Sequence, residues 1–176
     1  TESGISSDKL KGNLKLLPEE WQVLEQSVGR TVTAPIYIDE TPGITLTEFV
    51  AKSKRLVREK GVKIIFVDYL QLMHSGKPQL GGFSKVQEVT EISNTLKTTA
   101  KELNIPIIAL AQLNRNLMSR MGSNGKPVLS DLKDSGSIEQ DADIVVFLHR
   151  PGLLGLADDP DEQARTEVIF AKNRNG

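Results

Sequence analysis

Four short apolar runs, separated by segments with helical spacing, most constrain what this chain can fold into. They read KIIFVD, IPIIALAQ, DIVVFLH and TEVIFA, and they are apolar almost throughout instead of alternating. Such runs are typical of strands in a parallel sheet that is covered on both faces. Between them, a capping box at Thr45 and Glu48 predicts a helix that ends at Gly61, and a longer helix is predicted from Ser84 to about Leu103. Strands that alternate with helices indicate an α/β fold.

Composition narrows the class of protein. The chain has 176 residues, which is about one domain, and its 38% hydrophobic and 26% charged residues are ordinary for a soluble protein. Its net charge of -1 means that any surface for nucleic acid must be local. The lack of cysteine excludes disulfides and thiolate-bound zinc and fits a reducing, cytoplasmic interior. No apolar run approaches the ~20 residues of a membrane span, so no membrane partner is expected.

Polar side chains follow each predicted strand, where open parallel sheets bind their ligands. These side chains are Asp68, Gln112, His149 with Arg150, and Lys172 with Arg174. A carboxylate at the position of Asp68 is suited to organising Mg²⁺ beside a phosphate, through water or a hydroxyl. The alternative is that Asp68 ends its strand and caps the next turn.

The other strand ends carry an amide and two cations. The amide of Gln112 can bond a γ-phosphate or a water beside it, although a polar residue also simply marks the exit of a strand. Lys172 and Arg174 are two residues apart, so on an extended segment both point the same way and suit the γ-phosphate of a nucleotide. The alternative is a surface strand tip. His74 and His149 lack metal-ligand spacing and are assigned neither to metal nor to catalysis.

A cationic stretch runs from Leu103 to Ser130. It contains Arg115, Arg120 and Lys126, no acidic residue and no aromatic residue. A flexible loop of this kind can lie along a phosphate backbone without stacking on bases. A solvated loop that happens to be basic is the competing interpretation.

The segment SDLKDSGSIEQDAD, which follows that loop, is dense in turn-forming residues and acids. Backbone N–H groups around Gly136 can bind a phosphate, with help from Lys133. A helix cap followed by a charged surface turn explains the same composition.

Taken in order, the blocks FVDYLQLM, ALAQLNR, SDLKDSGSIEQDADIVVFLHR and AKNRNG resemble the successive motifs of the bacterial replicative DNA helicase family (DnaB-type). The resemblance extends from GNLKLLPEEW to the last residue. It implies a RecA-like fold, a mostly parallel sheet with helices on both faces. It also implies an ATP-driven, Mg²⁺-dependent homohexamer that encircles single-stranded DNA and works with a primase and a helicase loader.

The resemblance also implies roles for single residues. Asp68 resembles the Walker B aspartate, and Gln112 resembles the glutamine that links the state of the phosphate to the DNA loops. Lys172 and Arg174 resemble the basic pair that reaches the ATP of the neighbouring subunit, with Arg174 as the arginine finger.

The family's DNA-backbone loop is matched by Lys133, Asp134 and Gly136. The usual pattern there is Arg-Glu-Ser-Gly, and this chain has Lys-Asp-Ser-Gly. The charges are kept, but lysine cannot form the bidentate fork that arginine makes with phosphate.

The sequence contains no G-x-x-x-x-G-K-[ST] loop to cradle a phosphate. In the family that this chain resembles, the P-loop and the catalytic glutamate lie upstream. We therefore expect residues 1–176 to be part of one motor domain, without its P-loop and N-terminal collar domain, and to be inactive alone. A RecA-type recombinase or clock ATPase is disfavoured by DYLQL and SGSIEQDAD. A non-catalytic scaffold or DNA-binding module remains as an alternative.

Overall fold

The structure is a computed structural model that describes residues 2–77, 84–113, 126–154 and 159–175. The chain divides into two compact units, residues 1–40 and residues 41–176. Within the described residues, no helix is long and apolar enough to cross a membrane.

The described part of the first unit contains α1 (Ser7–Leu10) and α2 (Pro18–Thr33). Proline begins α2, where its missing N–H leaves no helical hydrogen bond unmade. The carboxylate of Glu20 turns back to accept the N–H of Leu17 at 2.8 Å. An ion pair of 2.6 Å between Lys9 and Glu20 joins the two helices.

The second unit carries the predicted alternation of helices and strands. Its elements are α3 (Leu46–Lys60), β1 (Ile65–Val67), α4 (Lys85–Leu103), β2 (Ile107–Ala109), α5 (Gly136–Asp141), β3 (Ile144–His149), α6 (Pro160–Ala164) and β4 (Glu167–Asn173). Short 3₁₀ helices lie at Leu70–Leu72, Leu129–Ser135 and Pro151–Leu154. Each of the four apolar runs contains a strand, which confirms that part of the prediction.

The two long helices begin and end where their capping residues predict. Thr45 and Ser84 each accept a hydrogen bond from a backbone N–H three residues later, at 3.3 and 3.2 Å. Glu48 and Gln87 return the bond to the N-cap N–H, which completes both capping boxes. Gly61 ends α3 with φ of +65°, a left-handed conformation that glycine adopts without strain.

β1 and β2 pair in parallel over a core formed by α3, α4 and the 3₁₀ turn after β1. In their register Ile65 lies opposite Ile107, and Val67 lies opposite Ala109. The buried core consists of Leu46, Phe49, Leu70, Met73, Val89, Ile92 and Leu96. One face of the pair packs on this core, whereas Phe66 on the other face is 64% exposed.

β3 and β4 differ from the expectation, because they pair antiparallel, with Ile144 opposite Asn173 and His149 opposite Glu167. Burial alternates along β3: Phe147 is buried and Leu148 is 67% exposed. The prediction of parallel strands covered on both faces is therefore wrong for this pair. Its apolar composition reflects two apolar faces, of which one packs on a core within the described residues.

Candidate functional site

Parallel pairing brings Asp68 and Gln112 to the same edge of the β1/β2 sheet. Asp68 comes directly after β1, and Gln112 lies three residues past β2. The peptide bond between Asp68 and Tyr69 is cis. The ladder continues beyond the strands, because Leu110 donates its N–H to Val67 O at 2.9 Å and Leu70 donates to Leu110 O at 2.8 Å. These two hydrogen bonds hold the backbone beside both candidate positions.

Gln71, in the 3₁₀ turn after β1, ties the two strand ends together with its side-chain amide. Its Nε2 donates to Gln112 O at 3.0 Å, and its Oε1 accepts the N–H of Gln112 at 3.2 Å. The amide thus stands in for one more residue of the ladder. Sequence reasoning missed this role. The only signal was a polar residue between two leucines directly after a strand.

The side chains of Asp68 and Gln112 are exposed. Neither side chain forms a hydrogen bond or an ion pair with any residue that the structure describes. Asp68 therefore does not cap the turn that follows it, as the competing interpretation required. A carboxylate and an amide are presented together at one sheet edge, on a backbone that is held in place.

Lys172 and Arg174, at the end of β4, reach the same helix terminus. Lys172 Nζ donates to Glu139 O at 2.5 Å, and one terminal nitrogen of Arg174 donates to Gln140 O at 2.5 Å. Both acceptors are carbonyls in the last turn of α5, which lack partners within the helix and carry partial negative charge. As the spacing predicts, both cations lie on the same side of the strand.

Asp143 holds Arg174 at two points. Its carbonyl accepts the backbone N–H of Arg174 at 2.8 Å, and its Oδ1 lies 3.2 Å from the second terminal nitrogen of the guanidinium. Its other carboxylate oxygen pairs with Lys97 of α4. The hydrogen bond from Lys97, followed by the nearby charges of Lys97, Arg174 and Lys101, holds the pKa of Asp143 below its usual value.

A second bond anchors α5 on the same face of α4. Ser93, which is buried, donates its hydroxyl to Asp141 Oδ2 at 2.7 Å. The sequence signal for this contact was the i, i+4 spacing of Ser93 and Lys97 on α4, matched by Asp141 and Asp143 two residues apart. Sequence analysis treated those acids only as part of a charged turn.

His149 and Arg150 do not join the cation pair. Because β3 and β4 are antiparallel, the register places His149 opposite Glu167, at the end of the hairpin away from Lys172. His149 is buried. The expectation that all predicted strand ends share one edge is therefore wrong for the last two strands.

The structure describes the DNA-binding candidates only in part. Lys126 is exposed and forms an ion pair of 2.8 Å with Glu167, which holds the pKa of that carboxyl below its usual value. Arg115 and Arg120 lie outside the described residues. The backbone of Lys133, Asp134 and Gly136 runs from the 3₁₀ helix into α5, and their side chains lie outside the described part.

Strand ends that present a carboxylate and an amide beside a helix-covered parallel pair define a RecA-like α/β domain. The match to solved structures supports this class. A solved phage-type ATPase domain superposes with a TM-score of 0.83 at 33% identity, covering 100% of this chain and 61% of that one. A DnaB-like replicative helicase, solved for its interactions with primase, superposes with a TM-score of 0.86 at 33% identity, covering 100% of this chain and 41% of that one.

The chain belongs to the DnaB-like helicase C-terminal domain family, whose model matches residues 1–176. It is 43% identical over 176 residues to the replicative DNA helicase DnaB of Geobacillus stearothermophilus, covering 99% of this chain and 37% of that protein. It is 44% identical over 162 residues to the DnaB helicase of Mycobacterium leprae, covering 92% of this chain and 26% of that protein. The chain thus spans about a third of the length of these curated relatives.

Proposed function

We propose that this chain is part of the motor of a replicative DNA helicase, which couples ATP hydrolysis to movement on single-stranded DNA. The observation that carries the proposal is the pairing of Asp68 and Gln112 at one sheet edge, each on a fixed backbone with an exposed side chain. Such an edge is where open α/β sheets bind nucleotides. The family membership supports the same assignment.

Asp68 fits a role in holding Mg²⁺ through water, with ATP as the substrate. Mg²⁺ typically takes one or two carboxylates and fills its remaining positions with water and phosphate oxygens. The described residues contain no cluster of three or more acidic, histidine or cysteine side chains, so a single exposed carboxylate is the donor on offer here. The metal would neutralise charge on the phosphates, and Gln112 would bond a phosphate oxygen or the attacking water.

Arg174 is proposed to act as an arginine finger on the ATP of a neighbouring subunit, with Lys172 beside it. Its side chain is 46% exposed although two of its nitrogens are bonded. A guanidinium has five N–H donors, so donors remain for a phosphate. The proposal requires head-to-tail contacts between subunits, which close into a ring such as a homohexamer.

DNA is proposed to contact the turn at Lys133, Asp134 and Gly136, with Arg115, Arg120 and Lys126 adding cationic charge. The support is the match of this turn to the family motif and the acid-free composition of residues 103–130. Contacts of this kind read the phosphate backbone and not the base sequence.

We further propose that residues 1–176 work within one RecA-like motor domain of a longer, cytoplasmic protein that supplies a P-loop and a collar domain. The length of the relatives and the missing P-loop motif support this. Primase and a helicase loader are the proposed partners, and one structural neighbour was solved for its interactions with primase.

The proposal is tested by mixing two variants of the full-length helicase, Asp68→Asn and Arg174→Ala. Each variant alone should bind ATP and form rings but hydrolyse poorly, because fingers of this type contribute roughly 10³ to 10⁵ in rate. In mixed rings, some interfaces pair a wild-type Asp68 with a wild-type Arg174 from the other variant. Those interfaces should recover hydrolysis that neither variant shows alone.

Subunit exchange is monitored separately with a fluorescence pair on the two variants. If the subunits co-assemble and mixing restores nothing, Arg174 does not act across the interface. If Arg174→Ala alone hydrolyses ATP at the wild-type rate, Arg174 is no finger at all.

A further inference from the structure

The end of α5 and Asp143 form a cradle around the guanidinium of Arg174. Within the described residues, the cradle offers this side chain two acceptors, Gln140 O at 2.5 Å and Asp143 Oδ1 at 3.2 Å. A third bond fixes the backbone of Arg174, through its N–H to Asp143 O at 2.8 Å. The side chain is thus held from one side, and its chain position is fixed by the same residue.

We propose that Asp143 is a positioning residue, which holds Arg174 in the orientation needed to reach the phosphate of a neighbouring subunit. This inference rests on the proposed function of Arg174. An arginine side chain has four rotatable bonds and loses about 2 kcal/mol of rotamer entropy when it is fixed. A cradle that fixes it before the nucleotide arrives removes that loss from the reaction step.

The charge balance around Asp143 favours pre-orientation over neutralisation of the finger. Its carboxylate contacts two cations, Lys97 and Arg174, and feels the charge of Lys101 as well. One negative charge shared among several positive ones leaves a net positive charge. Lys97 therefore offsets the carboxylate, and the guanidinium keeps its attraction for a phosphate.

The geometry also argues against a stowed finger that must be released. The backbone bond from Arg174 to Asp143 O is formed where β3 and β4 pair, with Ile144 opposite Asn173. Moving the residue away would break the end of that hairpin. The side chain is nearly half exposed in its cradle, so a phosphate can approach without such movement.

The test is a double-mutant cycle on ATP hydrolysis by the full-length helicase with Asp143→Asn and Arg174→Ala. Asparagine keeps the shape of the side chain and the backbone carbonyl but removes the charge that aligns the guanidinium. We expect kcat to fall roughly 10- to 100-fold, as misplacement of a reacting group does. KM for ATP and ring assembly should stay within about twofold, because the interaction acts only in the transition state.

In the Arg174→Ala background, Asp143→Asn should lower kcat no further, since a positioning residue has nothing left to position. The matched control is Glu102→Gln on α4. Glu102 forms an exposed ion pair with Lys54 at 2.6 Å, and its side chain is 52% exposed against 54% for Asp143. This control should hydrolyse ATP at the wild-type rate.

Three outcomes would overturn the inference: an equal loss from Asp143→Asn in both backgrounds, an unchanged kcat, or a loss of ring assembly in the Asn variant. The last would mean that Asp143 serves the fold and not the finger. These results are distinct from failure of the proposed function, which would appear as normal hydrolysis by Arg174→Ala itself.

Discussion

The β1/β2 edge and the cradle at the end of α5 hold their polar side chains by opposite means. At the edge, hydrogen bonds fix the backbone around Asp68 and Gln112, and their side chains bond no described residue. In the cradle, the side chain of Arg174 is itself bonded to Gln140 and Asp143. Replacing a side chain at the edge should thus alter chemistry alone, whereas replacing one in the cradle should alter chemistry and local structure together.

The largest effect is expected at the edge, for Asp68→Asn in the full-length helicase. The amide keeps the shape but loses the charge that organises Mg²⁺, a contribution of several kcal/mol, so hydrolysis should fall by roughly two orders of magnitude or more. The melting temperature should not change, because no described residue bonds this side chain. Steady-state hydrolysis and calorimetry check both halves. Hydrolysis within a few-fold of wild type would show that Asp68 has no role with the metal.

A smaller effect separates the support of the edge from its chemistry. Gln71→Ala removes two hydrogen bonds to the backbone of Gln112, together about 1 to 3 kcal/mol of local stability. Hydrogen exchange at the Gln112 amide should then accelerate by roughly 5- to 100-fold.

The matched variant is Gln112→Ala, which removes only the exposed side chain. It should lower hydrolysis without changing that exchange rate. Equal exchange in both variants would contradict the comparison between backbone support and side-chain chemistry.

The smallest effect concerns acid and belongs to the cradle. The folded pKa of Asp143 is depressed, so its ion pairs stabilise the fold above the unfolded pKa and lose that contribution as the pH falls through the folded pKa. Asp143→Asn should remove this acid-dependent part. It should amount to no more than about 1 kcal/mol, because the side chain is half exposed and screened by solvent.

Urea unfolding of the 176-residue chain between pH 7 and pH 3 measures this contribution. The difference between wild type and variant should shrink in about 1 M NaCl, where charges are screened within a few ångströms. A difference that grows with falling pH would have the wrong sign and would contradict the assignment.

Local signals predicted the elements well. The capping residues Thr45 and Ser84 mark helix starts correctly, since a cap depends on residues within one turn. The carboxyl end of β1 could also be predicted, because a strand that ends in an aspartate needs no distant information. The antiparallel pairing of β3 and β4 could not, because an apolar run contains no direction.

The contacts that hold the candidate site were beyond sequence reasoning for a related reason. Gln71 and Gln112 are 41 residues apart, and Lys97 and Asp143 are 46 apart. Neither pair has a local pattern that singles it out from other polar residues. The positions that present chemistry were predictable from strand ends, but the residues that support them depend on the tertiary fold.

The shortness of α5 has a mechanical consequence. The helix has six residues, so its axis is only about 9 Å long. Gly136 of the proposed DNA turn begins it, and the carbonyls of Glu139 and Gln140, which hold Lys172 and Arg174, lie in its last turn. A rod of fewer than two turns, clamped to α4 through Asp141, has little length in which to bend. A tilt imposed by a DNA strand at one end therefore arrives at the cations almost undiminished, so the grip on DNA and the aim of the finger form a single lever.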